Sequence, residues 1–327
     1  MLDKALKQCA YIGLGAMGTP ISGHIANHIE TLGYPPLLVY NRTRSKADLV
    51  KKNHRVDIAE SIEACARSDI IFTCLFDDDA VEGTVDTLLR TQLRPGTIIV
   101  DQSTISPTTS QRIAKKTTQS GVYYLACPIL GPPSKAAVAD LTVLIAGPID
   151  ARPLVLPLLV PVIGKKCVEL NEDASNSLRL KLCGNLLFSG ILVSLTESLT
   201  LAEASGLGQD KAQELIDILF PDTLFSVYGT KMVKETYYKQ INYPISGAQK
   251  DVGHMVSLAQ SVGAPLTIAE AFLEQLGEAR AEKGDIDITG VIGSKFLKRG
   301  KLKTQEYSAT VSLGQRKNAG LTFDLKK

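Results

Sequence analysis

Gly13, Gly15 and Gly18 stand in the run Gly13-Leu14-Gly15-Ala16-Met17-Gly18, a GxGxxG spacing that follows an apolar stretch and opens a helix-like one. The spacing suits a pyrophosphate. The first glycine permits a tight turn, the second lets backbone approach the anion, and the third allows close packing of a helix whose N-terminus faces it. In such a nucleotide fold a carboxylate about 20 residues on, at the end of the second strand, holds a ribose hydroxyl. Asn41, Arg42 and Thr43 occupy that place here, followed by Arg44. A guanidinium in place of the acid suits a 2′-phosphate, which points to NADP as the cofactor; an ordinary surface loop is the alternative.

Lys181 and Asn185 lie one helical turn apart at the start of a long apolar helix pattern. A lysine at the edge of a dry cleft has its charged form disfavoured and its pKa lowered, as proton transfer near neutrality requires. Asn185 could orient a hydroxyl or a carbonyl. Spacing alone favours an ordinary solvated lysine at a helix start. The four histidines are His24, His28, His54 and His254. His24 and His28 have no carboxylate or thiolate nearby in sequence and are expected to be packed or solvated rather than metal-bound. His254 is expected to pack on a helix surface. No Tyr is followed four residues later by Lys, which sets aside the short-chain reductases, and no Cys and His cluster suits a catalytic metal. No metal is expected.

The elements that must position these residues follow from the hydrophobic pattern. Strands are expected over 9–14, 37–40, 70–75, 97–101, 122–126, 142–146 and 162–170, with helices over 21–31, 80–90 and 107–120 between them. After Asp173 the strand signals stop and helices over 178–205, 209–220, 247–262 and 266–283 take over. The expected class is α/β: a nucleotide-binding domain with a parallel-rich sheet over 1–173, then an all-α domain over 174–295 built around a long central helix. That helix is apolar almost all round its middle and must be buried on several sides. From Lys295 onward nine Lys or Arg face only Glu306 and Asp324, so 296–327 reads as a solvated basic extension.

Thirty-six Lys plus Arg against 34 Asp plus Glu leave a charge of +2, so no overall field pulls the chain toward nucleic acid or anionic lipid. The uncharged run between Lys181 and Glu197 is short of a membrane span. Six cysteines without CxxC spacing fit a reducing compartment, and the few residues before the first strand leave no room for a presequence. A cytoplasmic location is expected.

Taken together, these motifs resemble the β-hydroxyacid dehydrogenase family, which includes 3-hydroxyisobutyrate dehydrogenase, glyoxylate/succinic semialdehyde reductases and tartronate semialdehyde reductase. The resemblance runs from about Gln8 to Ser294. It rests on IGLGAMG at 12–18, DQST at 101–104, the loop 126–141, KLCGN at 181–185, KD at 250–251 and GDID at 284–287. It implies a Rossmann domain followed by an all-helical one, and a homo-oligomer, dimer or tetramer, in which the long helix buries surface. It implies Lys181 as the catalytic acid/base, with Asn185 holding the reacting oxygen. Thr104 and Lys250 would approach the nicotinamide half of the cofactor, and Leu75 and Phe76 would line its cleft. Ser103, Leu130, Gly131 and Pro132 would face the substrate. YNRT at 40–43 looks like the NADPH-preferring reductases.

Two departures accompany the resemblance. Ser175 and Ser177 replace the glycines of the family's GxGxxxK, a change that N-capping by serine would accommodate. The family loop DAPVSGG reads here Ala126-Cys127-Pro128-Ile129-Leu130-Gly131-Pro132. Leu130 has no hydroxyl and Pro132 no N–H, so a substrate carboxylate would lose two donors. The expected activity is NADPH-dependent hydride transfer to a small aldehyde, keto acid or, in reverse, from a 3-hydroxy acid, with uncharged or bulkier carbonyls favoured over small semialdehyde acids. The alternatives are an imine reductase, disfavoured because those relatives generally replace the lysine, and a dinucleotide-binding sensor or scaffold without turnover.

Overall fold

β1 (Cys9–Ile12), α1 (Gly18–Thr31), β2 (Leu37–Tyr40), α2 (Arg44–Asn53), β3 (Val56–Ile58), α3 (Ile62–Cys65), β4 (Ile70–Thr73), α4 (Asp78–Arg90), β5 (Ile98–Asp101), α5 (Pro107–Gln119) and β6 (Tyr123–Ala126) alternate along the first part of the chain. A computed structural model describes residues 7–292, and the expected basic extension at 296–327 lies outside the described residues. The six strands pair in the order β3-β2-β1-β4-β5-β6, all parallel. Central strands of such a sheet are covered on both faces, and every residue of β1, β4 and β5 is buried. The chain enters at β1, runs outward to β3 and returns to β4. The loops leaving β1 and β4 therefore diverge and open a crevice at the carboxyl ends of the strands, where nucleotides bind in doubly wound folds.

β7 (Ile129–Leu130), α6 (Pro133–Ala137), β8 (Leu141–Ile145), α7 (Arg152–Leu159) and β9 (Gly164–Glu169) follow. They add a second sheet in which β8 pairs antiparallel with β7 and parallel with β9. The strands expected over 9–14 and 70–75 stop at Ile12 and Thr73. Gly13 turns away with φ of +102°, and the N–H of Leu75 is taken by Ser103 Oγ at 2.8 Å. α2 escaped the hydrophobic pattern because only Ala47 and Val50 of its residues are buried.

The rest of the described residues are mainly helical: α8 (Ser175–Ala204), α9 (Gln209–Leu219), α10 (Leu224–Val233), α11 (Ile245–Val262) and α12 (Thr267–Lys283). At 1.5 Å per residue α8 is about 45 Å long. Its first turns belong to the Rossmann core, with Leu178 packed among Val122, Tyr124 and Ala126. From Leu182 onward it belongs to the helical core, with Leu192, Leu195 and Leu199 against residues such as Val252, Phe272 and Leu276. One rigid helix thus spans both halves. The expected capping by the serines is corrected. Ala174 stands at the N-cap without a side-chain bond, the Asp173 carboxylate accepts from the N–H of Ser175 at 3.0 Å, and Ser177 Oγ donates to Ala126 O at 3.0 Å.

The expectation of burial on several sides is also corrected. Leu187 is 73% exposed and Leu201 71%, so among the described residues part of the apolar surface of α8 is left uncovered. By length and composition the whole helix could cross a membrane, which its uncharged run alone did not suggest. Its buried leucines are committed to the two cores.

Candidate active site

At the crevice, Gly13 donates its N–H to Tyr40 O at 2.9 Å and Leu14 donates to Asn41 Oδ1 at 2.9 Å, so the turn after β1 is clasped to the end of β2. A Cβ on Gly13 would meet Cys74 O at 2.3 Å, and one on Gly18 would meet Gly13 O at 1.9 Å. Packing of the chain itself demands these two glycines. A Cβ on Gly15 would meet nothing within 4 Å. The middle glycine is needed only by something that approaches from outside, as a phosphate does. Gly15, Ala16 and Met17 lead into α1, whose first turn carries no acid and no side-chain cap, and this electropositive end suits an anion.

The segment after β2 divides its residues between structure and surface. Asn41 uses both ends of its amide, accepting from Leu14 and donating to Thr43 O at 3.0 Å. Arg44 is held by Glu60 at 2.8 Å and Asp48 at 3.5 Å. Arg42 is exposed and pairs with no described residue, which leaves it as the guanidinium available to a ligand. Thr43 is the exposed N-cap of α2. The residues present therefore fit a dinucleotide: an open glycine, an uncapped helix end and an unengaged arginine.

Across the crevice, buried Asp101 organises the ends of β4, β5 and β6. It accepts from Thr73 Oγ1 at 2.8 Å, Tyr124 OH at 2.9 Å and the N–H of Ser103 at 3.1 Å. Burial pushes its carboxyl up, against these donors. Ser103 is buried, and its hydroxyl accepts from the N–H of Leu75, which clasps the loop. Phe76 beside it is exposed at the rim. Thr104 presents its carbonyl to Lys250 Nζ.

Lys181 lies where α8 passes β7. Only 9% exposed, it donates to Ile129 O at 2.8 Å. Burial pulls its pKa down to about 8; Asp251 opposes the shift and Lys250 adds to it. One turn on, Asn185 Nδ2 donates to Asp251 Oδ2 at 2.9 Å, while Lys250 Nζ donates to Asp251 Oδ1 at 2.7 Å. Leu130 packs on α8 between the two: its Cδ2 lies 3.5 Å from where a Cβ on Gly184 would stand. Gly131, at φ of +135°, has no room for a side chain against Leu141. Pro132 is the exposed N-cap of α6.

A buried lysine able to shed its proton near pH 8, an amide beside it and an apolar wall thus face one corner.

Two features were not foreseen. Asp251 was visible as half of a KD pair, yet besides Lys250 it also receives Tyr243 eight residues before it and Asn185 from another helix. His254 does not merely pack on a helix. Its Nε2 sits 3.0 Å from Asp78 Oδ2, so one turn after Lys250 the same helix again meets the Rossmann half. Burial alone would raise the Asp78 carboxyl, but His254, Thr109 and Ser106 together hold it well below the usual carboxylate range.

A family model described as the NAD binding domain of 6-phosphogluconate dehydrogenase matches residues 8–170. YfjR of Bacillus subtilis, an uncharacterized oxidoreductase, is 33% identical over 290 residues, covering 86% of this chain and 98% of its own. The NADH-dependent oxidoreductase ucdB of Aspergillus ustus is 30% identical over 269 residues, covering 81% of this chain and 91% of its own. Among solved structures, Mycobacterium tuberculosis 3-hydroxyisobutyrate dehydrogenase with L-serine superposes with a TM-score of 0.75 at 22% identity, over 89% of this chain and 99% of that one, a likeness of fold.

Proposed function

The chain belongs to the β-hydroxyacid dehydrogenase family, with an amino-terminal half of the 6-phosphogluconate dehydrogenase NAD-binding type, and on that premise we propose that it is a nicotinamide-dependent oxidoreductase interconverting a carbonyl and a hydroxyl on a small substrate. One observation carries the reading: a buried lysine with its pKa lowered to about 8, bonded to the Ile129 carbonyl one helical turn before Asn185. The nicotinamide, when bound, supplies or takes the hydride. Lys181 gives the proton to the nascent alkoxide in reduction and takes it from the hydroxyl in oxidation. Reduction needs the ammonium, so its rate falls as pH rises through about 8; oxidation needs the free amine and rises over the same interval.

NADP is the proposed cofactor, supported by the unengaged Arg42, while the NADH-dependent relative makes the choice one to measure. Leu130 against Gly184, with no N–H at Pro132, supports an uncharged or bulkier carbonyl compound as substrate. A second copy of the chain covering the exposed Leu187 and Leu201 of α8 is part of the proposal. An NADPH- and NADH-oxidation screen of C2 to C6 aldehydes and keto acids tests the reading. Turnover that disappears in Lys181→Ala supports it, whereas cofactor binding without turnover across the panel turns the chain into a sensor or scaffold.

A further inference from the structure

The two acids of the GDID run at 284–287 serve one short segment. Asp285 accepts from the N–H of Ser246 at 2.8 Å and from its hydroxyl at 2.7 Å, at the first turn of α11. Buried Asp287 accepts from the N–H of Asn242 at 2.8 Å and of Tyr243 at 3.2 Å, and the N–H of Ile288 reaches Tyr243 O at 2.8 Å. Tyr243 is therefore held on both sides of its backbone. Its ring rests on Gly247, where a Cβ would come within 2.9 Å of it. Its hydroxyl donates to Asp251 Oδ2 at 2.7 Å, the same oxygen that receives Asn185. Burial and Asp251 push the phenol well above its ordinary pKa, so it remains a neutral donor.

We propose that Tyr243 is a positioning residue of the proton-transfer corner: its hydroxyl fixes the Asp251 carboxylate, which in turn orients Asn185 and sets how much negative charge Lys181 feels. The inference rests on the reading of Lys181 as acid and base. The charged groups facing Lys181 are Asp251 and Lys250 of α11, while β7 offers only the Ile129 carbonyl. Asp251 in turn receives Lys250, Asn185 and Tyr243. Each donor spreads the carboxylate charge. Removing the phenol hydroxyl leaves more of that charge acting on Lys181 and favours its ammonium form, without adding or deleting a formal charge.

The test reads Lys181 without turnover. The ε-carbon of ¹³C-lysine-labelled protein is titrated by NMR, with Lys181→Met assigning the resonance, in the wild type, Tyr243→Phe and Asp251→Asn. Tyr243→Phe keeps the ring on Gly247 and is expected to raise the Lys181 midpoint by roughly half a unit or more, whereas Asp251→Asn lowers it. In parallel, kcat for reduction in Tyr243→Phe falls about 3- to 30-fold at pH 7 while the cofactor Kd stays within about twofold. An unmoved midpoint together with unchanged kcat, or a loss of thermal stability alone, overturns the proposal. Undiminished turnover in Lys181→Met overturns instead the acid/base reading and leaves the NMR midpoint to judge Tyr243 separately.

Discussion

The glycine turn after β1 and the corner around Lys181 are built in opposite ways. The turn uses six consecutive residues, 13–18, clasped by one amide from Asn41, and what it offers a ligand is mostly backbone. The corner draws on Thr104, Ile129, Lys181, Asn185, Tyr243, Lys250 and Asp251, from both halves of the chain. Recognition of a phosphate by backbone needs only local geometry. A lysine that titrates near 8 needs water excluded from every direction, which no contiguous segment can provide.

The contrast breaks most sharply at Lys181. Removing a positioned general acid costs about 10²- to 10⁴-fold in rate, so Lys181→Ala loses kcat by that order while isothermal titration finds cofactor affinity unchanged, since the glycine turn is untouched. Substrate charge is the next largest lever. An under-bonded anion in a desolvated site costs about 1 to 3 kcal/mol, roughly five- to 150-fold. Leu130→Ser with Pro132→Gly is therefore expected to raise kcat/KM for glyoxylate and succinic semialdehyde relative to uncharged aldehydes of matching length. No change in that ratio would remove the loop from substrate selection.

At the turn end, loss of a charged hydrogen bond contributes about 1.5 to 3 kcal/mol, so Arg42→Ala weakens NADPH by roughly tenfold or more and leaves NADH nearly unaffected. Equal losses for both would show that Arg42 does not read a 2′-phosphate. The smallest expected effect lies where the two ends are tied together. Asp78→Asn removes one partnered group between α4 and α11, on the order of 1 kcal/mol, or a few degrees in Tm. Because the Asp78 carboxyl is held below its ordinary range, this contribution is present above that range and is lost as pH falls through the depressed value. The difference between variant and wild type should be plain at neutral pH and shrink in strong acid.

Much of the frame was legible along the chain. β2 occupies the expected 37–40, and the GxGxxG run lies between β1 and α1 as its spacing required. Period-2 and period-3.6 patterns report burial of an element against its neighbours, and those neighbours are near in sequence in a βαβ fold. The pattern failed where that link is weak. α2 buries too few residues to show a face, β7 is two residues long, and α8 is apolar where the described residues leave it uncovered.

Residue types followed the same division. Lys181, Asn185 and the KD pair could be singled out by sequence, and so could the loss of donors at Leu130 and Pro132. That Ser103 clasps Leu75, that Asn41 closes the turn, that His254 meets Asp78 and that Tyr243 reaches Asp251 depended on which segments the fold brings together. Sequence by itself determined the alternation of elements, the local turn with its demand for glycine, and the inventory of groups able to move a proton. Only the tertiary structure decided which of those groups is dry, charged or already engaged. A pKa and a hydrogen bond depend on dielectric and distance, and both are set by which residues the fold brings together, from eight positions apart at Tyr243 and Asp251 to more than a hundred at Asp78 and His254.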